Sequence, residues 1–553
     1  MTCASSQCSR RKVSSAYPPD EQIRMRASHF SGSLNHFDKF PNEVLVEIFT
    51  AFAENLGVTG QSSFASLALS AVCRRWRAVA LAVAQLWRHI HVRSPRHLEW
   101  MHEALTLTRH HTIDFFIEMC DGDLALGTLL LLDDSGCCRR TRKLRIDIWL
   151  EEDSHAHLIQ EIERILQGGA PALETLTING YDVHGTGAIQ ESPQLSLHHD
   201  QLPALRGLSL YNVYTPWPPE VFSALRQLSL TACYNGYAVP LPRILDVLEA
   251  SQQLEELHLD RSMPLAGENW SDRLDRVVSM PHLRMLHIDE HVEEARVLMH
   301  HLRIPLSVRV YMMIYIEDPP ETLGALLRGG LGCMPLLQHT TSASLDLEPA
   351  ARGHVCCTCL TDGDGRMDIH FHYDGLEADC LELSRWFLED FGQLFWRSPL
   401  RKLTVECNLA HVSSDEWVQL FDFFPDLHEL RVSGTGNPEE LLRALATSSP
   451  AEASPESDAG DSAGASPEIL LPSLHTLAFD SLPWRDRLLE YTGGVLAIRA
   501  YHGLGLRALH VRLRGRLPVE RTCMEAMHQF HLMTLGRLCE AVVYEDLPFK
   551  ERQ

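Results

Sequence analysis

A short string with three aliphatic positions, Leu-x-x-Leu-x-Leu or a close variant, returns nine times along the chain. It reads LETLTI from Leu173, LRGLSL from Leu205, LRQLSL from Leu225, LEELHL from Leu254 and LRMLHI from Leu283. It resumes as LRKLTV from Leu400, LHELRV from Leu427, LHTLAF from Leu474 and LRALHV from Leu506. Pro- or Ser-containing pairs such as PA, SA, PH, PD and PS precede most copies, and Leu225, Leu254 and Leu283 stand at a constant interval of 29 residues. One such unit cannot bury its three aliphatic side chains alone. Stacked neighbours can, if each contributes a short strand lying beside the next with the aliphatics on one buried face.

That interval falls at the upper end of the leucine-rich-repeat period. The expected fold class is therefore α/β: a leucine-rich-repeat solenoid, or parallel β horseshoe, over residues 96–553, preceded by all-α helices. Segments such as PRILDVLEAS (Pro242 to Ser251) and IQEIERILQGG (Ile159 to Gly169) have the pattern for the convex helical side. The string lapses between Ile288 and Leu400, where SVRVYMMIYI and RMDIHFHY alternate like strands. This stretch reads as irregular repeats rather than a separate domain. Polar positions between the leucines are the candidate substrate-facing residues: Glu174, Thr175, Arg206, Arg226, Glu255, Arg284, Lys402, His428 and His475.

A different pattern precedes the repeats. In FPNEVLVEIFTAFAENL, Val44, Leu45, Ile48, Phe49 and Phe52 recur at helical spacing, and Pro41 suits the first turn, where its missing N–H costs nothing. GVTGQSS breaks this helix, and a second is expected from about Phe64 to Val83. In it Leu69, Val72, Cys73, Trp76, Val79 and Ala80 share one side, with Arg74, Arg75 and Arg77 flanking the stripe. QLWRHIHV (Gln85 to Val92) then reads as a turn into a short strand.

FPNEVLVEIF, AVCRRWRAVA and QLWRHIHV together resemble an F-box, here placed at residues 36–95. Phe40 replaces the family's usual leucine before the proline, and the loop ENLGVTGQSS between the helices is somewhat long. With the repeats, the chain is similar to fungal F-box proteins of the substrate-receptor kind. The resemblance implies docking to a Skp1-like adaptor through Phe40, Pro41, Val44, Leu45, Ile48, Phe49, Val72, Cys73 and Trp76. Through the adaptor it implies a cullin scaffold and a RING protein, with the repeats holding a protein substrate whose identity the sequence does not give. It also implies that Arg74, Arg75 and Arg77 meet an acidic adaptor surface. Such a subunit is no enzyme: it raises the effective concentration of a substrate lysine near a charged E2. The competing reading is a leucine-rich-repeat scaffold outside any ligase, with the F-box-like helices as an N-terminal cap.

Composition narrows the field further. A formal net charge of -24 argues against a general nucleic-acid binder, because phosphate contacts need a basic surface. Fifteen scattered cysteines and no apolar leader in MTCASSQCSRRKVSSAYPPDEQ point to reduced thiols in the cytoplasm, the nucleus or both. The apolar run LALGTLLLL is about half of what a membrane helix needs. Residues 1–35 and 448–468, rich in Ser, Pro, Ala and charge, read as a disordered tail and a disordered insertion; SPE recurs in the latter at Ser454 and Ser466. HVCCTCL, with His370, His372 and Cys380 downstream, has one Cys-x-x-Cys pair but no second, so no metal or other cofactor is expected. No phosphate loop or nucleophile elbow is present.

Overall fold

The computed structural model of the chain describes residues 40–57, 62–120, 122–150, 155–182, 194–216, 219–233, 241–263, 276–316, 335–350, 354–373, 377–447, 469–483, 487–514 and 521–547. The tail at 1–35 and the insertion at 448–468 lie outside these residues. The chain divides into two compact units, Met1–His91 with Glu99–Ile113, and Val92–Leu98 with Asp114–Gln553.

The first unit is built on α1 (Asn42–Gly57), α2 (Ser62–Val72) and α3 (Arg74–Ala82), followed by a 3₁₀ turn at Ala84–Trp87. The second helix expected from the sequence is therefore two. Cys73 breaks it: its backbone is extended (φ -155, ψ 170), and its sulfur accepts the Trp76 N–H at 3.4 Å, capping α3. Pro41 sits one residue before α1, where its carbonyl accepts the Leu45 N–H at 3.2 Å. The core joins Leu45, Phe49 and Ala53 of α1 to Ala65 and Leu69 of α2 and Val79 and Ala80 of α3. Trp87 closes it from below, its indole N–H donating to the Ala80 carbonyl at 2.9 Å.

The second unit carries one long, mostly parallel sheet. Strands β1 (Thr141–Leu150), β2 (Thr175–Asp182), β3 (Gly207–Tyr211), β4 (Gln227–Thr231), β5 (Glu256–Asp260), β6 (Met285–His291) and β7 (Arg309–Ile316) pair in chain order, all parallel. Later in the chain β11 (Lys402–Asn408), β12 (Glu429–Thr435), β13 (Thr476–Pro483), β14 (Leu506–Arg514) and β15 (Cys539–Leu547) do the same. All 27 aliphatic or aromatic positions of the nine strings are buried, none more than 3% exposed. In register, Leu176, Leu208, Leu228, Leu257 and Leu286 form one ladder, and Ile178, Leu210, Leu230, Leu259 and Ile288 the next. Each such side chain contributes ~1.5–3 kcal/mol by leaving water, and only because a neighbouring strand covers it.

Local geometry repeats with the ladder. Asn212, Ala232 and Arg261, each just past its strand, adopt left-handed backbones (φ 55, 51 and 41). Their N–H groups donate to the carbonyls of Thr231 and Asp260, each the last residue of the next strand, and of Asp289 within β6. On the buried side, α6 (Leu241–Ala250) turns Leu241, Ile244, Leu245, Val247 and Leu248 inward; before it in the chain stand α4 (Gly122–Asp134) and α5 (His155–Gln167).

The middle of the sheet departs from the expected irregular repeats. There β8 (Thr340–Ala350), β9 (His354–Thr361) and β10 (Arg366–Tyr373) form a meander: β10 pairs parallel with β7, β9 runs antiparallel between β10 and β8, and β8 pairs parallel with β11. The cause is connector length. Asp362–Gly363–Asp364–Gly365 joins β9 to β10 in a turn, whereas a parallel neighbour needs a crossover of about a dozen residues. No helix of the described residues is long and apolar enough to cross a membrane.

Candidate functional site

Helix α1 has two apolar stripes. One, Leu45, Phe49 and Ala53, is buried in the first unit. The other, Val44, Ile48 and Phe52, repeats every four residues and is 39%, 39% and 43% exposed; Phe40 (38%) before the helix and Val72 (43%) at the end of α2 are exposed as well. A soluble helix ordinarily buries one stripe and turns polar side chains outward. Of the nine candidate docking residues, Phe40, Pro41, Val44, Ile48 and Val72 are exposed, Leu45 and Phe49 are fully buried, and Cys73 and Trp76 are half-buried. Leu45 and Phe49 therefore support the face from beneath. Phe52 is the exposed residue missing from that set, and its i+4 spacing from Ile48 was the signal.

The flanking arginines also separate. Arg75 reaches back to the start of α1, donating to the Phe40 carbonyl and, from Nε and Nη2, to Asn42 Oδ1 at 3.1 and 3.0 Å. Arg77 Nε donates to the Ser70 carbonyl at 2.8 Å. Arg75 thus fixes the angle at which Phe40 and Pro41 enter the helix, a structural role. Arg74 is exposed.

In the second unit, seven of the nine candidate substrate-facing residues fall on one row, immediately ahead of the strands. Backbone N–H groups link Glu174 to Arg142, Arg206 to Glu174, Arg226 to Arg206, Glu255 to Arg226 and Arg284 to Glu255 at 2.7–2.8 Å. The row reappears as Arg401, His428, His475 and Arg507, linked at 2.8–3.1 Å. Thr175 and Lys402 lie one position later. Glu255 stands between Arg226 (3.7 Å) and Arg284 (3.5 Å). His428 and His475 stack with ring centroids 5.0 Å apart at 15°. Burial first, then His428 and Arg507, holds the His475 imidazole below its ordinary pKa.

Two features of this sheet surface escaped sequence reasoning, because they arise only when strands distant in sequence come into register. One is a lane of rings, His258, His287, Tyr311 and His370, with successive centroids 3.9, 4.7 and 4.9 Å apart. Burial and the neighbouring His258 lower the His287 pKa to about 4, so that ring is neutral at pH 7. The other is a groove of about 240 Å³ where Gly207 leaves the rung between Thr175 and Gln227 without a side chain, walled by Ser209, Ser229, His258 and His287.

The cysteine cluster does not converge. Strand alternation buries Cys357 and Cys359, their sulfurs 3.6 Å apart, and turns Cys356 to the opposite face, 3.9 Å from His370 Nε2. Cys356 and Cys359, three positions apart on a strand, cannot serve one metal ion. Burial raises the Cys356 thiol to about 11 and the Cys359 thiol well above its ordinary value. The side chain of Cys380 lies outside the described residues. Among the described residues no group of three or more His, Cys, Asp or Glu is placed to hold a metal.

No curated protein matches the chain. Residues 37–93 match the F-box-like family model, a segment that holds both stripes of α1, the Cys73 cap and the Trp87 closure, and F-box domains are typically non-catalytic adaptors. The N-terminal segment is an F-box-like domain.

Proposed function

We propose that this chain is the substrate-recognition subunit of a Skp1–cullin–F-box ubiquitin ligase, acting in the cytoplasm, the nucleus or both. The F-box-like helices dock on a Skp1-like adaptor and, through it, on a cullin. The sheet, read as a leucine-rich-repeat solenoid, holds the protein substrate. The observation that carries this reading is the exposed stripe Val44, Ile48 and Phe52, continued by Phe40 and Val72, inside a segment that matches the F-box-like model. An interface of standard size covers ~1,600 Å², with aromatic and proline anchors dominating the energy.

Co-expression of the full chain with a Skp1-type adaptor tests it. The wild-type chain is expected to co-purify with the adaptor, and Val44→Glu/Ile48→Glu to lose it while keeping the wild-type circular dichroism spectrum. Equal capture of the adaptor by both chains overturns docking through this face. Adaptor capture without any cullin in a cell extract overturns the ligase assignment.

A further inference from the structure

The leading row of the sheet has a charge that the chain as a whole does not. On it stand six arginines (Arg142, Arg206, Arg226, Arg284, Arg401, Arg507) and two histidines (His428, His475) against three glutamates (Glu174, Glu255, Glu540), with Arg142 held by Asp114 at 2.6 Å. The whole chain carries -24. The row five positions further along the strands is mostly acidic, with Asp147, Asp260, Asp289, Asp346, Glu406, Asp480 and Glu545 against Arg512. Five residues of strand separate the two bands by roughly 16 Å, beyond the ~8 Å Debye length at physiological salt, so each acts on a ligand by itself.

The longest run of the row without an acid is on β11 to β14, where Arg401, His428, His475 and Arg507 occupy four adjacent rungs. Thr341 and Glu540 stand at its two ends. Arg401 and Arg507 are both exposed, and among the described residues neither forms an ion pair. The nearby acid Glu429 is taken up by Lys402 (3.3 Å) and Arg431 (3.6 Å). A guanidinium left open in this way pairs best with a planar carboxylate, which it binds through two parallel N–H donors.

We propose that this row binds an acidic polypeptide segment, one with clustered Asp and Glu side chains, lying across the strands from Arg401 to Arg507. The biological role, substrate capture, rests on the receptor reading above; the binding chemistry does not. Four rungs at ~4.8 Å span about 14 Å, which matches two to three same-side residues of an extended peptide. The His475 imidazole adds a pH term. His475 lies between Arg507 on β14 and His428 and Glu429 on β12, and it is neutral at pH 7 without a ligand. A carboxylate seated on the row favours its protonated form.

The test is fluorescence anisotropy of the full chain with a labelled oligoglutamate peptide and its oligoglutamine counterpart. Oligoglutamate is expected to bind, more weakly as salt rises, and oligoglutamine not. Arg401→Glu/Arg507→Glu is expected to weaken binding at least about tenfold, whereas Arg243→Glu, exposed on α6, leaves it unchanged. Lowering the pH from 7.5 to 6.0 should tighten binding in the wild type and less so in His475→Gln. Equal binding of both peptides, or no effect of the double charge reversal, overturns the proposal. So does tighter binding of oligothymidylate of equal charge, which would make the row a nucleic-acid surface. Adaptor capture is measured on the same preparations: its failure with oligoglutamate binding intact removes the receptor reading and leaves this site standing.

Discussion

Phe49 of α1 and Trp76 of α3 place their rings 4.8 Å apart at 56°, and this contact ties the helix that carries the exposed stripe to the helix capped by Cys73. Phe49 is fully buried and Trp76 half-buried. Phe49→Ala removes a core ring and is expected to cost ~3–5 kcal/mol, Trp76→Ala somewhat less. Ile48→Ala, on the exposed stripe, should stay within about 1 kcal/mol. Hydrogen exchange of the α1 amides in the full chain separates them: Phe49→Ala accelerates exchange, Ile48→Ala does not. Similar acceleration by both would mean that Ile48 belongs to the core and not to a docking face.

Arg499 of α7 (Leu488–Tyr501) is 1% exposed and, among the described residues, meets no carboxylate; its guanidinium donates to the carbonyls of Leu470 (2.8 Å) and Leu471 (2.7 Å). Burial lowers its pKa to about 10, so it is still charged at pH 7. Leu471 has a left-handed backbone (φ 54), and Arg499 holds that turn immediately ahead of the Leu474 string. Arg499→Met keeps the volume and orphans two buried carbonyls, at ~1–3 kcal/mol each. The expected result is a melting temperature several degrees lower, with partial recovery in Arg499→Lys. No shift in Arg499→Met would show that water replaces the donors.

The inward ladder was legible because three aliphatics at fixed spacing have one way to leave water, and repetition multiplied the signal. The division of α1 into two stripes was half legible. Spacing put Val44, Leu45, Ile48 and Phe49 on one broad face, but only the positions of α2 and α3 decide that Leu45 and Phe49 go under while Val44 and Ile48 stay out. The break at Cys73 was hidden, since a half-buried cysteine acting as a cap looks like one more apolar residue. The meander was missed because alternation in RMDIHFHY has the same period in parallel and antiparallel strands; the DGDG turn was the discriminating feature. The ring lane His258, His287, Tyr311 and His370 has no local signature, as its members meet only through register.

Two glycines should respond in opposite directions. Gly434 has φ +123, and a Cβ there would lie 2.0 Å from the Cys407 carbonyl oxygen on the adjacent strand β11. Gly434→Ala must push β11 and β12 apart at that rung and is expected to give mostly insoluble protein. Gly127 lies inside α4 with nothing within 4 Å of a built Cβ, so Gly127→Ala is expected to stabilise by ~0.5–1 kcal/mol through helix propensity. Differential scanning calorimetry of the two variants reads both effects; a soluble Gly434→Ala chain with the wild-type melting temperature would contradict the close approach of the strands.

Glu290, 1% exposed at the end of β6, accepts the N–H groups of Ser262 (2.9 Å) and Met263 (3.0 Å) and the Ser262 hydroxyl (3.3 Å) on one oxygen. Burial raises its pKa to about 8 from the ordinary 4.5, and neighbouring Glu294 adds to the rise. The folded chain therefore holds a proton there that the unfolded chain releases between about pH 4.5 and 8. Stability contributed by this group is fully present below pH 4.5 and declines as pH rises towards 8, by at most ~1.4 kcal/mol per pH unit. Glu290→Gln keeps the acceptor oxygen and removes the titration. Melting temperatures taken from pH 5 to pH 8 should fall in the wild type and fall less in the variant, with the two chains closest at pH 5 and the variant the more stable at pH 8. Parallel curves would place the Glu290 carboxyl at its ordinary pKa, with the Ser262 and Met263 amides holding it ionised.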